Sequence, residues 1–290
     1  MTQTVTVTVT VTVTVAVAPD AGEGRRLIAP VGIATPHSSL LAFAVDGAEF
    51  RLVGETHTGQ VAAIIEPENG RAVALTYEFA ESGPGYPEAM FMARVSRHTR
   101  PADALVIDAL RIAEEAKDGH AAISAIVNDV AARFSYGHPE DKFTEGFDHV
   151  PHLACGLTEG SCVDINTYLI ASLRAAGLEA GYVTGYFFPA EKNGACDDGH
   201  CWVVTRHRGV VLEWDIAHHM KLGRAPVCCG LNPKPGSRVA VAHSMGLDFP
   251  AAGISELKAL IEPVWIDASG EANQAELTIR LRHGAETAAA

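Results

Sequence analysis

The chain has 290 residues, 48% of them hydrophobic and 20% charged, which is enough for one large domain or two modest ones with the composition of soluble globular proteins. A formal net charge of -13 argues against nucleic acid or an anionic membrane as partner. No uninterrupted apolar run approaches the ~20 residues of a membrane helix, and no basic n-region precedes Arg25, so a cytoplasmic protein with reduced thiols is expected.

Residues 1–18 are a Thr-Val repeat, and low complexity predicts a dangling tail followed by a polar linker to residue 26. Residues 27–82 read as β-structure: the apolar runs 40–45, 50–53, 60–65 and 72–79 are punctuated by the hairpin dipeptides Asp46-Gly47 and Asn69-Gly70. Near residue 100 the period changes. Helices are predicted over 102–116 and 120–134, the second with Ile123, Ile126, Val127, Val130 and Phe134 on one face. Residues 136–159 form a long irregular stretch of the kind that serves as a functional loop. A helix over 162–176 turns Leu169, Ile170 and Leu173 inward and stops at Gly177. Strands follow over 180–188, 200–206 and 209–215. Beyond residue 220 the pattern predicts a loop, a short helix over 255–261, closing strands over 264–267 and 275–283, and a tail over 284–290. The expected division is therefore a tail and linker (1–26), a β-rich region (27–100), a chemistry-bearing domain with a C-terminal extension (101–283), and a tail.

The chemistry centres on Cys162, in the turn Gly160-Ser161-Cys162-Val163-Asp164 that runs straight into a helix. A thiol at a helix N-terminus lies in the positive end of the helix dipole, which favours the nucleophilic thiolate. His200 and Asp215 are the matching base and acid. With His207-Arg208 as a two-residue loop, Arg206 pairs with Gly209 and His200 lies opposite Asp215 on one face, with Cβ atoms ~5 Å apart. A bulge at Gly209 would slip the register by one and make the pair diagonal. Singly, each residue has a blander reading as a buried small hydrophobe, a structural histidine or a turn aspartate. Their order and local contexts favour the chemical one.

It is at these residues that the chain resembles a known family. Gly160-Ser161-Cys162 with the helix segment 169–177, then Tyr182-Val183-Thr184-Gly185-Tyr186, Gly199-His200-Cys201-Trp202-Val203 and Leu212-Glu213-Trp214-Asp215 are similar to the transglutaminase-like superfamily over roughly residues 105–220, and Phe134-Ser135-Tyr136 fits too. The resemblance implies an α+β, papain-like core with a nucleophile helix packed on an antiparallel sheet, preceded here by the β-rich N-terminal region. It also implies a Cys162, His200, Asp215 triad and acyl chemistry on amides or thioesters through a covalent intermediate, with no cofactor and no metal. The family includes amide-crosslinking enzymes, peptidases, deglycosylating amidases and catalytically dead scaffolds. Three positions depart from its pattern: Cys201 stands where alanine is usual, Ile216 where proline follows the acid, and Gly181-Tyr182 where arginine is common.

The expected partner is a peptide or other amide-containing substrate, with the oligomeric state open. A non-catalytic interaction module with the same fold is the alternative. A zinc protein built from Cys196, His200, Cys201, His218, His219, Cys228 and Cys229 is a weaker one, because the spacing matches no paired Cys-x-x-Cys frame. His243-Ser244 after an apolar run imitates a serine-hydrolase elbow, but no helix can start cleanly behind it. His149 and His152 are candidates for a site rim, and Asp197-Asp198 would disfavour acidic substrates if that loop covers the cleft. Trp202 and Trp214 are expected to pack the core or line an acyl tunnel.

Overall fold

A computed structural model describes residues 5–6, 8–18, 25–92, 94–267, 269–284 and 287–288. The Thr-Val repeat is not a tail within that span. Thr8–Val15 is a strand inside a five-stranded antiparallel sheet, paired with Val73–Ala80 on one side and Leu277–His283 on the other. Its strict period of two sends Val11, Val13 and Val15 into the core with no exposed surface, while Thr10, Thr12 and Thr14 take the half-buried face. Low complexity is no obstacle when the repeat unit equals the pleat.

Arg26–Pro30 is central to a second five-stranded sheet, between Val61–Pro67 and Val264–Ile266. The two sheets share one core that includes Val11, Leu27, Ile65, Tyr77, Phe79 and Trp265. The β-rich region is thus completed by strands from the far end of the chain. Thr287–Ala288, expected as tail, pairs with Val5–Thr6. Residues 21–24 of the expected linker lie outside the described residues.

The second half supplies the helices α1 (Asp103–Glu114), α2 (Gly119–Arg133), α3 (Cys162–Ala175) and α4 (Ile216–Lys221). They accompany a four-stranded antiparallel sheet in the order Val210–Trp214, Gly199–His207, Glu179–Pro189, Gly236–His243. One apolar cluster joins Ile123 and Val127 of α2 and Leu169 and Ile170 of α3 to Tyr182, Cys201 and Val203 of the sheet. Val183, Trp202, Val204 and Ala240 gather in another cluster with Met90 and Phe91. The arrangement is α+β and rich in strand.

Three local expectations change. The predicted helix over 255–261 is a strand, Ile254–Leu257, paired with Leu247–Phe249. Left-handed backbone at Gly253 and Glu256 breaks any helical run there, and Asp248 accepts from the Glu256 N–H at 2.8 Å. Gly236–His243, read as loop, is an edge strand, and α4 was not anticipated. The hairpin turn is Arg208-Gly209, with φ of 50° and 77°, which suits the primed turns of two-residue hairpins. His207 therefore pairs with Val210, and Arg206 with Val211 instead of Gly209.

Candidate active site

That register differs from the expected one by two residues, and a shift of two preserves the face on which each side chain lies. His200 and Asp215 consequently still meet. The ladder ends at Val203 and Trp214, the chain turns into α4, and the Asp215 carboxylate swings to His200, where Oδ2 lies 2.9 Å from Nε2. Asp215 has a second duty as N-cap of α4: its Oδ1 accepts from the His218 N–H at 3.0 Å. A proline at position 216 is not needed to orient the acid, because the cap does so.

Cys162 opens α3 behind a capping box. The Asp164 side chain accepts from the Ser161 N–H at 3.0 Å and its hydroxyl at 2.8 Å, while Ser161 caps the Asp164 N–H. Gly160 allows this turn to sit against Phe134, whose ring a Cβ would meet at 2.9 Å. On the opposing strand Gly199 performs a similar service just before His200, since a Cβ there would meet Ile261 Cγ2 at 2.2 Å. The thiol is brought beside the His200 ring and the Cys201 side chain. It is 7% exposed and His200 5% exposed, so both are shielded from bulk water.

The electrostatics are those of a buried, coupled group. Burial opposes the His200 charge, but the Asp215 carboxylate, its hydrogen bond and the contact with Cys162 outweigh it and raise the imidazole to about 9. Burial also opposes the Asp215 charge, yet His200 and Arg238 hold that carboxyl well below its ordinary range. The Cys162 thiol is pushed up, by interaction with the Cys201 side chain first and burial second, against the pull of His200. This reverses the expectation drawn from the helix N-terminus alone. The Cys201 position, where the sequence departs from the family pattern, is one source of the reversal. Asn166 fixes Cys201 there, donating to its carbonyl at 3.0 Å and its sulfur at 3.4 Å.

Two further residues converge on Asp215. His218 Nδ1 lies 3.0 Å from Oδ2, and its ring stacks on His200 with centroids 4.3 Å apart. Arg238 Nη2 donates to the same oxygen at 2.6 Å. His218 appeared in the sequence only as a possible metal ligand, and Arg238 carried no local signal. A cleft of about 130 Å³ opens in front of His200, bordered by Phe187, Asp197, Asp198, His218, Lys221 and Lys234. Asp197 is paired with Lys192, so the loop's charge is partly neutralised. A larger cavity of about 300 Å³ is bordered by His37, Tyr86, Trp202, Glu213, Asn232 and Arg238, and not by Cys162 or His200. Trp202 borders this cavity, whereas Trp214 is structural, its indole N–H donating to Thr205 at 2.9 Å.

The other sequence candidates lie elsewhere. His149 pairs with Asp148 at 2.8 Å and His152 approaches Asp108 at 3.4 Å, so neither imidazole is free for the cleft. Ser244 accepts or donates a 2.9 Å bond with the adjoining His243, but strand Leu247–Phe249 follows where an elbow needs a helix. Cys228 and Cys229 are exposed, and the Cys196 thiol donates to the Asp198 carbonyl at 2.9 Å, so the cysteine-rich zinc set does not assemble. Among the described residues two groups could share an ion: His200, Asp215 and His218, and Glu55, His57 and Asp248. Each already holds an arginine. Arg238 sits on Asp215, and Arg94 reaches Glu55 at 3.1 Å and Asp248 at 2.5 Å, which opposes a second cation at either place.

No curated protein matches the chain. Among solved structures it is similar to a Cytophaga hutchinsonii protein described as a candidate cysteine protease, at 13% identity over 97% of this chain and 99% of that one, with a TM-score of 0.54. The periplasmic domain of TgpA from Pseudomonas aeruginosa, at 14% identity over 77% of this chain and 90% of that one, gives a TM-score of 0.37, too low to carry weight. The first likeness concerns the fold. The sequence model of one family, described as the transglutaminase-like superfamily, matches residues 109–210, a span that holds Cys162 and His200 and stops short of Asp215. Residues 109–210 of this chain are therefore similar to the transglutaminase-like superfamily.

Proposed function

We propose that the protein is a cysteine-dependent enzyme that transfers or hydrolyses acyl groups, with Cys162 as nucleophile, His200 as its base and Asp215 as the residue that orients and charges the base. The observation that carries this reading is the 2.9 Å contact between His200 and a buried Asp215, set beside a thiol at the start of α3. Cys162 attacks the carbonyl carbon of an amide, ester or thioester. In its neutral form, the minor one below about pH 9, His200 takes the thiol proton and returns it to the leaving group, so a thioester forms as the amine, alcohol or thiol departs. Water or an amine then attacks the thioester and regenerates the thiol. The Cys162 N–H, in the first helical turn where no intrahelical acceptor exists, is the oxyanion donor this reading assigns.

The substrate class is a peptide or other amide-containing molecule, and the chemistry requires no metal or cofactor. A reducing compartment such as the cytoplasm suits a nucleophile lying beside a second free thiol. No helix among the described residues is long and apolar enough to cross a membrane.

A non-catalytic reading has one feature in its favour, the raised pKa of the nearly buried Cys162 thiol. Mass spectrometry of the intact chain after incubation with a panel of activated esters and thioesters separates the two. The enzyme reading expects one acyl group per chain, mapped to Cys162, lost in Cys162→Ala and slowed on the order of 10²-fold or more in His200→Ala. Absence of an adduct with every donor, together with iodoacetamide labelling of Cys162 that ignores His200→Ala, would leave the scaffold reading standing.

A further inference from the structure

We infer that Arg238 is a positioning residue of this site, holding Asp215 in place and dividing its charge between the His200 imidazole and the Arg238 guanidinium. The inference rests on the acyl-transfer reading and goes beyond it, because Arg238 lies outside the matched segment and on a strand that was not expected.

The guanidinium is held by several contacts at the edge of the cavity of about 300 Å³. Its side chain is 4% exposed. Nη2 donates to Asp215 Oδ2 at 2.6 Å, and Nε donates to Asn232 Oδ1 at 3.0 Å. Its carbon lies 4.7 Å from the Trp202 ring centre and 5.2 Å from that of Phe187, and both of these rings are neighbours of the His200 ring. Nη1 is buried with no acceptor. Taking an arginine out of water and leaving one nitrogen unpaired is unfavourable unless the remaining contacts compensate. Here the compensation comes from the aromatic faces and from Asp215.

The consequence falls on His200. Asp215 Oδ2 is approached by His200 at 2.9 Å, His218 at 3.0 Å and Arg238 at 2.6 Å, and the shortest contact belongs to the permanent cation. A carboxylate that already neutralises a guanidinium supports an imidazolium less strongly, so Arg238 keeps the base from being more basic still. It also keeps Asp215 ionised. The other titratable or charged groups near this contact are Cys162 from α3 and His218 from α4. Glu213 on the neighbouring strand is bound by His37 and Tyr86 at 2.6 Å each, and Asp198 and Lys221 border the cleft.

The pH dependence of Cys162 alkylation by iodoacetamide tests this, followed by mass spectrometry in the full-length chain. Arg238→Gln removes the cation and should move the His200-dependent limb to higher pH, with a several-fold slower reaction at pH 7. Arg238→Lys, which keeps the charge, should restore the limb most of the way. A folded Arg238→Gln protein with an unmoved limb overturns the inference. If that variant does not fold, Asn232→Ala releases Nε without removing the charge and is read by the same criterion, with a smaller expected shift. Failure of the acyl-transfer reading and failure of the Arg238 role leave different profiles. A wild-type profile that His200→Ala leaves unchanged removes the acyl-transfer reading itself, whereas a limb that depends on His200 and ignores Arg238 removes only this inference.

Discussion

The rings of His200 and His218 lie 4.3 Å apart and within 7° of parallel, share one oxygen of Asp215, and are held in opposite protonation states. Burial lowers His218 to about 4 despite its bond to Asp215, while Asp215 and Cys162 raise His200 to about 9 against the same burial. Only one of two stacked rings can carry the proton cheaply, since two imidazolium ions at that distance repel. His218 is thereby a neutral partner that fills space and donates nothing to the chemistry at neutral pH. Proton NMR of the histidine ring resonances should find one buried histidine titrating near 9 and its stacked neighbour near 4. Two titrations close to 6.5 would contradict this account of the pair.

The acidity of the Cys162 thiol is set largely by its neighbour. Cys201 is the first cause of the raised Cys162 thiol, and it stands where the family pattern has alanine. Cys201→Ala should therefore lower the Cys162 pKa and speed its alkylation several-fold at pH 7. The other thiols serve as internal controls. An unchanged or slower rate in a folded variant would mean that burial alone governs the thiol.

What the sequence revealed of this site was local. The turn that runs into the helix at Cys162 and the parity of His200 and Asp215, which survives a register error of two, could both be read before the fold. Arg238 and His218 could not. Arg238 sits on an edge strand whose neighbours, Gly236 and Ser237, break the alternation, and its contact with Asp215 depends on pairing with the distant Glu179–Pro189 strand. His218 reaches Asp215 because the chain turns into a six-residue helix too short to leave a periodic signal. The fold followed the same division. Periodicity exposed the helices, whereas the return of Leu277–His283 to the Thr-Val strand is a long-range pairing that no local pattern encodes.

Stability should fall on both sides of neutrality, for different residues. Burial lowers His98, His218 and His243 to about 4 each. Each is depressed below its unfolded value near 6.5, so its contribution is present above about pH 6.5 and lost as the pH falls toward 4. His200 works the other way: its contribution is complete below about 6.5 and is lost as the pH rises through about 9. Melting temperatures by circular dichroism should be highest between about pH 6.5 and 8 and lower at pH 4.5 and pH 10. A melting temperature flat from pH 7 to 4.5 would mean the histidines are not buried as described.

The Thr-Val repeat provides the sharpest test of the sandwich. Val11 and Val13 have no exposed surface and face a core with Tyr77 and Leu75 across the sheet, at Val11↔Tyr77 and Val13↔Leu75. Truncating such a valine removes about 2–3 kcal/mol of burial, and placing a carboxylate there costs more because the charge has no partner. Val13→Ala should lower the urea midpoint without altering the slope, Val11→Asp should prevent folding at 37 °C, and Thr12→Ser on the half-buried face should be nearly silent. A tail would tolerate all three equally. Equal midpoints across the set, measured by tryptophan fluorescence in urea, would return these residues to the status of a tail and leave the sheet between Val73–Ala80 and Leu277–His283 without its central strand.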